Sequence, residues 1–121
     1  MPKRIMVVDD AGIMRLVLKQ MLVRAGYDVV AEVDGGYKAI SLYPTYKPDL
    51  VTMDIAMPDI DGITAIKEII KIDPDAKIII CSGMGYTEKV KDAILAGAKT
   101  FIAKPPHPDR VIATIKLILG E

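Results

Sequence analysis

Apolar residues along this chain follow two rhythms that take turns. Arg4-Ile-Met-Val-Val8 is a short apolar run bounded by charge, too short for a helix and apolar enough for burial on both faces, so it predicts a strand. From Ile13 to Ala25 the spacing lengthens: Met14, Val17, Leu18, Met21, Leu22 and Ala25 recur every three or four residues, and Gly26 supplies a left-handed stop. That segment predicts an amphipathic helix. Val29 to Val33 is a β-branched run, and after Gly35-Gly36 a weaker helical pattern rests on Ala39, Ile40 and Tyr43, with Pro44 expected to end or kink it early.

Leu50, Val51 and Met53 form a third strand, which delivers Asp54 at its carboxyl end before Pro58 and Gly62 punctuate a loop. Ile63, Ile66, Ile69 and Ile70 mark the next helix, stopped by Asp73-Pro74, and the strand Lys77–Cys81 follows at once. Ser82-Gly83-Met84-Gly85 opens a loop into a helix carried by Val90, Ala93, Ile94 and Leu95 and ended by Gly97. Thr100–Ala103 predicts a fifth strand. The last helix begins near Pro108 and carries Val111, Ile112, Ile115, Ile118 and Leu119. Five strands alternating with five helices predict an α/β fold, a doubly wound parallel sheet with helices on both faces.

Composition narrows the function classes. A chain of 121 residues, 51% apolar, predicts one domain over 1–121 whose core needs no disulfide or structural metal. Sixteen basic residues balance 16 acidic ones, so no net field draws the protein to nucleic acid or to a membrane, and partners must be recognised locally. Cys81, the one cysteine, ends an apolar strand and reads as a buried small side chain suited to a reducing compartment. Met1-Pro-Lys-Arg starts like a signal peptide, but the apolar run after it stops at Asp9-Asp10; a soluble cytoplasmic protein is expected.

Open parallel sheets bind ligands beyond the carboxyl ends of their strands. The residues there are Asp9 and Asp10, Asp54, Ser82 and Lys104. Singly, each has an ordinary role as a cap, a turn residue or solvated surface. Collectively they are costly, because two carboxylates about 4 Å apart repel by ~4 kcal/mol at an effective dielectric near 20, so three at one rim call for a cation. Oxygen-only ligation with open positions suits magnesium, and phosphate chemistry follows. In that chemistry Asp54 is the nucleophile that accepts a phosphoryl group, Lys104 balances charge on its oxygens, and the Ser82 hydroxyl donates to one of them.

These residues, with Met57-Pro58 and Asp61-Gly62 after Asp54, Gly83 after Ser82, Ala96-Gly97-Ala98 and Lys104-Pro105, resemble the receiver domain of two-component response regulators. The resemblance covers the whole chain and is strongest to stand-alone chemotaxis regulators. It implies a flavodoxin-like sheet of strand order 2-1-3-4-5 and transfer of a phosphoryl group from a histidine kinase to Asp54. It also implies direct magnesium ligation by Asp10, Asp54 and the Ala56 carbonyl, with Asp9 acting through water. Lys104 would pair with Asp54 across a cis Lys104–Pro105 bond. Ser82 would move toward the phosphoryl group, Phe101 would turn inward behind it, and the last two helices with the fifth strand would present a changed face to a target such as the flagellar motor switch. A monomeric phosphoacceptor is expected, not an enzyme, with autodephosphorylation its only turnover. Ala56 and Met84 would set its lifetime, and neither can orient a water, which implies slow decay. The end of the chain at Gly120-Glu121, straight after the last helix, favours a single-domain regulator.

Three positions depart from the family pattern: Phe101, often Tyr; Pro106, often a bulky apolar residue; and Pro44, which would shorten its helix. A haloacid-dehalogenase-type phosphatase also uses an aspartyl nucleophile with magnesium, but its second Asp, two residues on, is here Ala56. A flavodoxin-like flavin carrier would meet repulsion between its phosphate and Asp9-Asp10. A degenerate receiver that only binds partners would have no need of the full set of site residues.

Overall fold

The computed structural model describes residues 2–83 and 87–121. Strands β1 (Arg4–Val8), β2 (Asp28–Val33), β3 (Leu50–Asp54), β4 (Ile78–Ser82) and β5 (Thr100–Ala103) alternate with helices α1 (Gly12–Arg24), α2 (Gly36–Tyr46), α3 (Gly62–Ile72), α4 (Thr87–Ala96) and α5 (Pro108–Leu119). All neighbouring strands pair in parallel in the order β2-β1-β3-β4-β5, the doubly wound sheet expected.

Strand alternation divides the core in two. Met6 and Val8 of β1, Val51 and Met53 of β3, and Ile78 and Ile80 of β4 face one layer, where Ala39 and Tyr43 of α2 and Ala65, Ile66 and Ile69 of α3 cover them. Ile5 and Val7, Leu50, and Ile79 and Cys81 face the other, under Leu18 and Leu22 of α1 and Val111, Ile115 and Leu119 of α5. The central strands β3 and β4 are buried along their whole length, which is why their sequences show no polar alternation. Apart from the terminal Asp54 and Ser82, Thr52 is their polar residue, fully buried, and its hydroxyl has no partner among the described residues.

Two boundaries and one helix face differ from the sequence reading. Pro44 does not end α2, which runs 11 residues through it to Tyr46 and closes on Lys47 at φ 44°. The proline occupies the last turn, where the missing N–H removes a single helical bond. The buried Tyr43 holds that turn by donating its phenol to Asp73 at 2.7 Å, and its carbonyl accepts from the Lys47 N–H at 2.8 Å. The fourth strand starts at Ile78 and keeps Ser82 as its final residue, paired with Ala103. In α4 only Ala93 of the predicted stripe is buried, while Ile94 and, at 85% exposure, Leu95 face outward.

Burial of Cys81 in the layer beneath α5 pushes its thiol up to about 12, so almost no thiolate exists near neutrality. The native protein at pH 8 is expected to resist iodoacetamide, and denaturant is expected to release one reactive thiol. Labelling of the native protein at the rate of a free thiol would contradict this packing.

Candidate functional site

The strand order reverses between β1 and β3, and the carboxyl ends of those strands carry the acidic residues. Their register is near flush, Val8 facing Met53 and Asp54 facing Cys81, so the residues that end each strand emerge at one level. The Asp9 N–H bonds to Val33 O at 2.9 Å, which continues the β1 ladder one residue and buries the Asp9 side chain. Asp54, the last residue of β3, is also buried, and Asp10 is exposed.

Lys104 joins the two buried carboxylates: its Nζ donates to Asp9 Oδ2 at 3.0 Å and to Asp54 Oδ1 at 2.9 Å. Its backbone is set by the Lys104 N–H to Ser82 O bond of 2.8 Å, and the Lys104–Pro105 peptide is cis, as the resemblance implies. Asp9 Oδ1 accepts from the Ala11 N–H at 2.9 Å, and the Asp9 carbonyl accepts from Arg15 Nη1 at 2.6 Å. One oxygen from each of Asp9, Asp10 and Asp54 lies within 4.8 Å of the others. This oxygen-only set, carrying more negative charge than Lys104 cancels, fits a hard divalent cation.

Burial pushes the Asp54 carboxyl up to about 6; Lys104 opposes the rise and the charge of Asp9 adds to it. For Lys104, burial acts to lower the pKa, but its bonds to Asp54 and Asp9 outweigh this and the net shift is upward. The ammonium is therefore permanent, whereas Asp54 near neutrality is close to its own protonation. Any further cation at the cluster would favour the ionised carboxylate.

Ser82 is buried at the end of β4, and its Oγ donates to the Gly83 carbonyl at 3.1 Å. It must exchange that bond to serve a group on Asp54. Phe101 is 48% exposed on β5 and borders an outward groove with Pro105, His107 and Arg110. Ala56 lies exposed in the loop between β3 and α3, and Met84 lies outside the described residues.

One contributor escaped the sequence reading, and another entered it only as loop punctuation and part of the family pattern. Arg15 carries no signal beyond being a charged residue on an amphipathic helix, yet it holds the Asp9 carbonyl. Gly62 was read as punctuation, but a Cβ there would collide with the Asp54 carbonyl oxygen, and its N–H bonds to Ile55 O at 2.8 Å. Gly62 thus closes the loop against the backbone of the residue that carries the central carboxylate. Asp61 beside it caps α3, accepting from the Thr64 N–H at 2.8 Å, so the Asp61-Gly62 pair is where a loop signal could have been read as a site signal.

Comparison with known proteins agrees with this geometry. Residues 5–116 match the family model for the response regulator receiver domain. The chain is 54% identical over 120 residues to the chemotaxis protein CheY of Bacillus subtilis, covering 99% of this chain and all of that one. It is 52% identical over 118 residues to CheY of Thermotoga maritima, covering 98% of each. Among solved structures, the CheX–CheY–BeF3–Mg complex from Borrelia burgdorferi contains a chain that superimposes with a TM-score of 0.93 at 32% identity, over 98% of this chain and 90% of that one. The phosphatase alternative finds no support in these matches.

Replacing Lys104 by Met leaves Asp9 and Asp54 facing each other without their shared cation, which raises the Asp54 pKa further above 6. A carboxyl whose folded pKa is raised destabilises the fold above that pKa and is relieved as protonation sets in below it. Lys104→Met is therefore expected to cost about 2 kcal/mol at pH 8 and clearly less at pH 5, measured by urea unfolding. An equal loss at both values would mean that charge repulsion is not what Lys104 relieves.

Proposed function

The chain belongs to the response regulator receiver domain family, a phosphorylation-activated signalling domain of the CheY type, and on that premise we propose that Asp54 is its phosphoacceptor. The observation that carries this is the buried Asp54 oxygen held at 2.9 Å by Lys104, with oxygens of Asp9 and Asp10 within 4.8 Å. A carboxylate oxygen of Asp54 attacks the phosphorus of a histidine kinase's phosphohistidine, the phosphorus–nitrogen bond breaks, and an acyl phosphate remains. Magnesium would be held by Asp10, Asp54 and the Ala56 carbonyl, with Asp9 acting through water, and when bound it supplies positive charge at the phosphoryl oxygens.

The protein's own groups do the rest. Lys104, already 2.9 Å from the Asp54 carboxylate, supplies positive charge beside the oxygens of a group placed there. Ser82 gives up its bond to Gly83 and donates its hydroxyl to the phosphoryl group. That movement empties space behind it for Phe101, whose outward position corresponds to the unswitched state in this reading. The face formed by α4, β5 and α5 then changes for a downstream partner. The chemotaxis relatives support a chemotaxis role, in which the target would be the flagellar motor switch, and the Borrelia CheY solved with CheX supports protein contact as the output. Ala56 has no group with which to orient a water, so autodephosphorylation is slow in this reading, with Met84 as the second determinant.

Incubation with magnesium and a small phosphodonor is expected to add one phosphoryl group, located at Asp54 by borohydride trapping and mass spectrometry. Undiminished labelling of Asp54→Asn would rule the assignment out.

Asp10 supplies the exposed carboxylate of the cluster, so its removal leaves the fold's buried pair intact while taking a charged ligand from the cation. Asp10→Ala is expected to weaken magnesium binding about tenfold or more, read from the metal dependence of the melting temperature. A melting response to magnesium identical to that of the unaltered protein would exclude Asp10 as a ligand.

A further inference from the structure

Helix α2 begins without a cap of its own, because Gly35 precedes it in extended conformation and offers no side chain to the free N–H groups of the first turn. The missing acceptor comes from the β3–α3 loop. Asp59 Oδ1 accepts from the Gly36 N–H at 3.1 Å and Oδ2 from the Tyr37 N–H at 3.0 Å, so one carboxylate spans the first two donors of the helix. These bonds, that to Tyr37 first, hold the Asp59 carboxyl below the usual carboxylate range, and the bound form is the charged one that a helix N-terminus favours.

Space for this clasp exists only because no side chain stands opposite. A Cβ on Gly35 would lie 2.8 Å from Asp59 Oδ2, and one on Gly36 would lie 2.5 Å from Ile60 Cγ1. Gly35 has φ of −165°, which any residue adopts, so clearance and not backbone freedom is what the position requires. At its other end the loop is fixed by the Gly62 N–H to Ile55 O bond of 2.8 Å and by the Asp61 cap on α3. Between Asp54 and Asp59 there remain only Ile55, Ala56, Met57 and Pro58, of which Ile55 and Met57 are buried in the core layer. The segment is pinned at both ends and by alternate side chains.

We propose that Asp59 is a positioning residue: by clasping the N-terminus of α2 across the Gly35-Gly36 gap, it fixes the backbone of residues 55–58 and with it the Ala56 carbonyl. The consequence for metal binding rests on the reading of Ala56 as a magnesium ligand, whereas the clasp itself does not. Asp59 touches neither Asp54 nor any of the other carboxylates of the cluster. It acts through the loop alone, and α2, which has no residue in the site, becomes part of the support for it.

The test uses the full chain, with magnesium alone as the probe, in Asp59→Ala, Asp59→Asn, Gly35→Ala and the Gly35→Ala/Asp59→Ala double variant. Hydrogen exchange of the amides of residues 55–60 is measured without metal, and magnesium affinity by the metal dependence of melting. Asp59→Ala is expected to speed exchange in this segment and to weaken magnesium binding by about tenfold. Asp59→Asn, with a single acceptor oxygen, should fall between it and the unaltered protein. Gly35→Ala should reproduce the effect with the carboxylate still present, and the double variant should be no worse than Asp59→Ala, because both remove one interaction. A lower melting temperature in Asp59→Ala with loop exchange unchanged would overturn the proposal and leave Asp59 as a cap for α2, whereas faster exchange with magnesium affinity unchanged would overturn the reading of Ala56 as a ligand. Failure of the unaltered protein to respond to magnesium would instead overturn the metal reading, and the exchange measurement would still decide the clasp.

Discussion

Two buried carboxylates sharing one ammonium is the constraint on which the rest of this structure turns. Asp9 and Asp54 are held at 3.0 and 2.9 Å from the Lys104 Nζ, and each of the three residues comes from the end of a different strand. Charges buried in this way are stable only as a set, because loss of one partner strands another in a medium that solvates it poorly. Lys104 cancels one negative charge of the buried pair, and the exposed Asp10 adds another beside it. The site is therefore built under-neutralised, a state that favours binding of positive charge and keeps Asp54 close to protonation until it arrives.

That arrangement depends on strand register, and register depends on the alternation of apolar side chains between the two core layers. A slip of one residue in β3 would carry Val51 and Met53 into the layer under α1 and α5, and would turn Asp54 from the rim. The same buried Ile, Val and Met residues that hold the sheet together thus fix where the Asp9, Asp54 and Lys104 side chains emerge. Gly62 extends the control past the strand end, since its missing side chain lets the β3–α3 loop close on the Asp54 carbonyl.

The strands and the direction of the sheet were legible because a fully buried parallel strand and an amphipathic helix leave different periods in the sequence, and here they alternate without interruption. The residues at the strand ends were legible for the same reason: topology alone brings Asp9, Asp54 and Lys104 together. What did not read through were cases where a local rule was overridden by a distant contact. Pro44 is tolerated in α2 because Tyr43 is anchored to Asp73, 30 residues away. Leu95 matches the helical stripe of α4 but lies 85% exposed, and apolar spacing cannot distinguish a residue facing the sheet from one facing solvent beside it. Arg15, six residues from Asp9, and Asp59, 22 residues from Tyr37, each hold a backbone group of another element, and such bonds leave no apolar spacing to detect.

The two flanks of the site differ in how firmly they are held, and the difference bears on how a local event becomes a signal. On the β3 side, the loop after Asp54 is bonded to α2 through Asp59, capped onto α3 through Asp61 and closed by Gly62, with Ile55 and Met57 buried beneath it. On the β4–β5 side, the Ser82 hydroxyl bonds, among the described residues, to the adjacent Gly83 carbonyl, and Phe101 is half in solvent over a groove that extends to α5. A group added at Asp54 meets a rigid wall and a yielding one. In the proposed function, Ser82, Phe101 and the α4-β5-α5 face are the groups that would rearrange around new oxygens on Asp54, opposite the bonded β3 side. In the proposed function the direction of the switch would then be a property of the loop opposite to it: the firmer the clasp on the β3 side, the more of the rearrangement is left to the other.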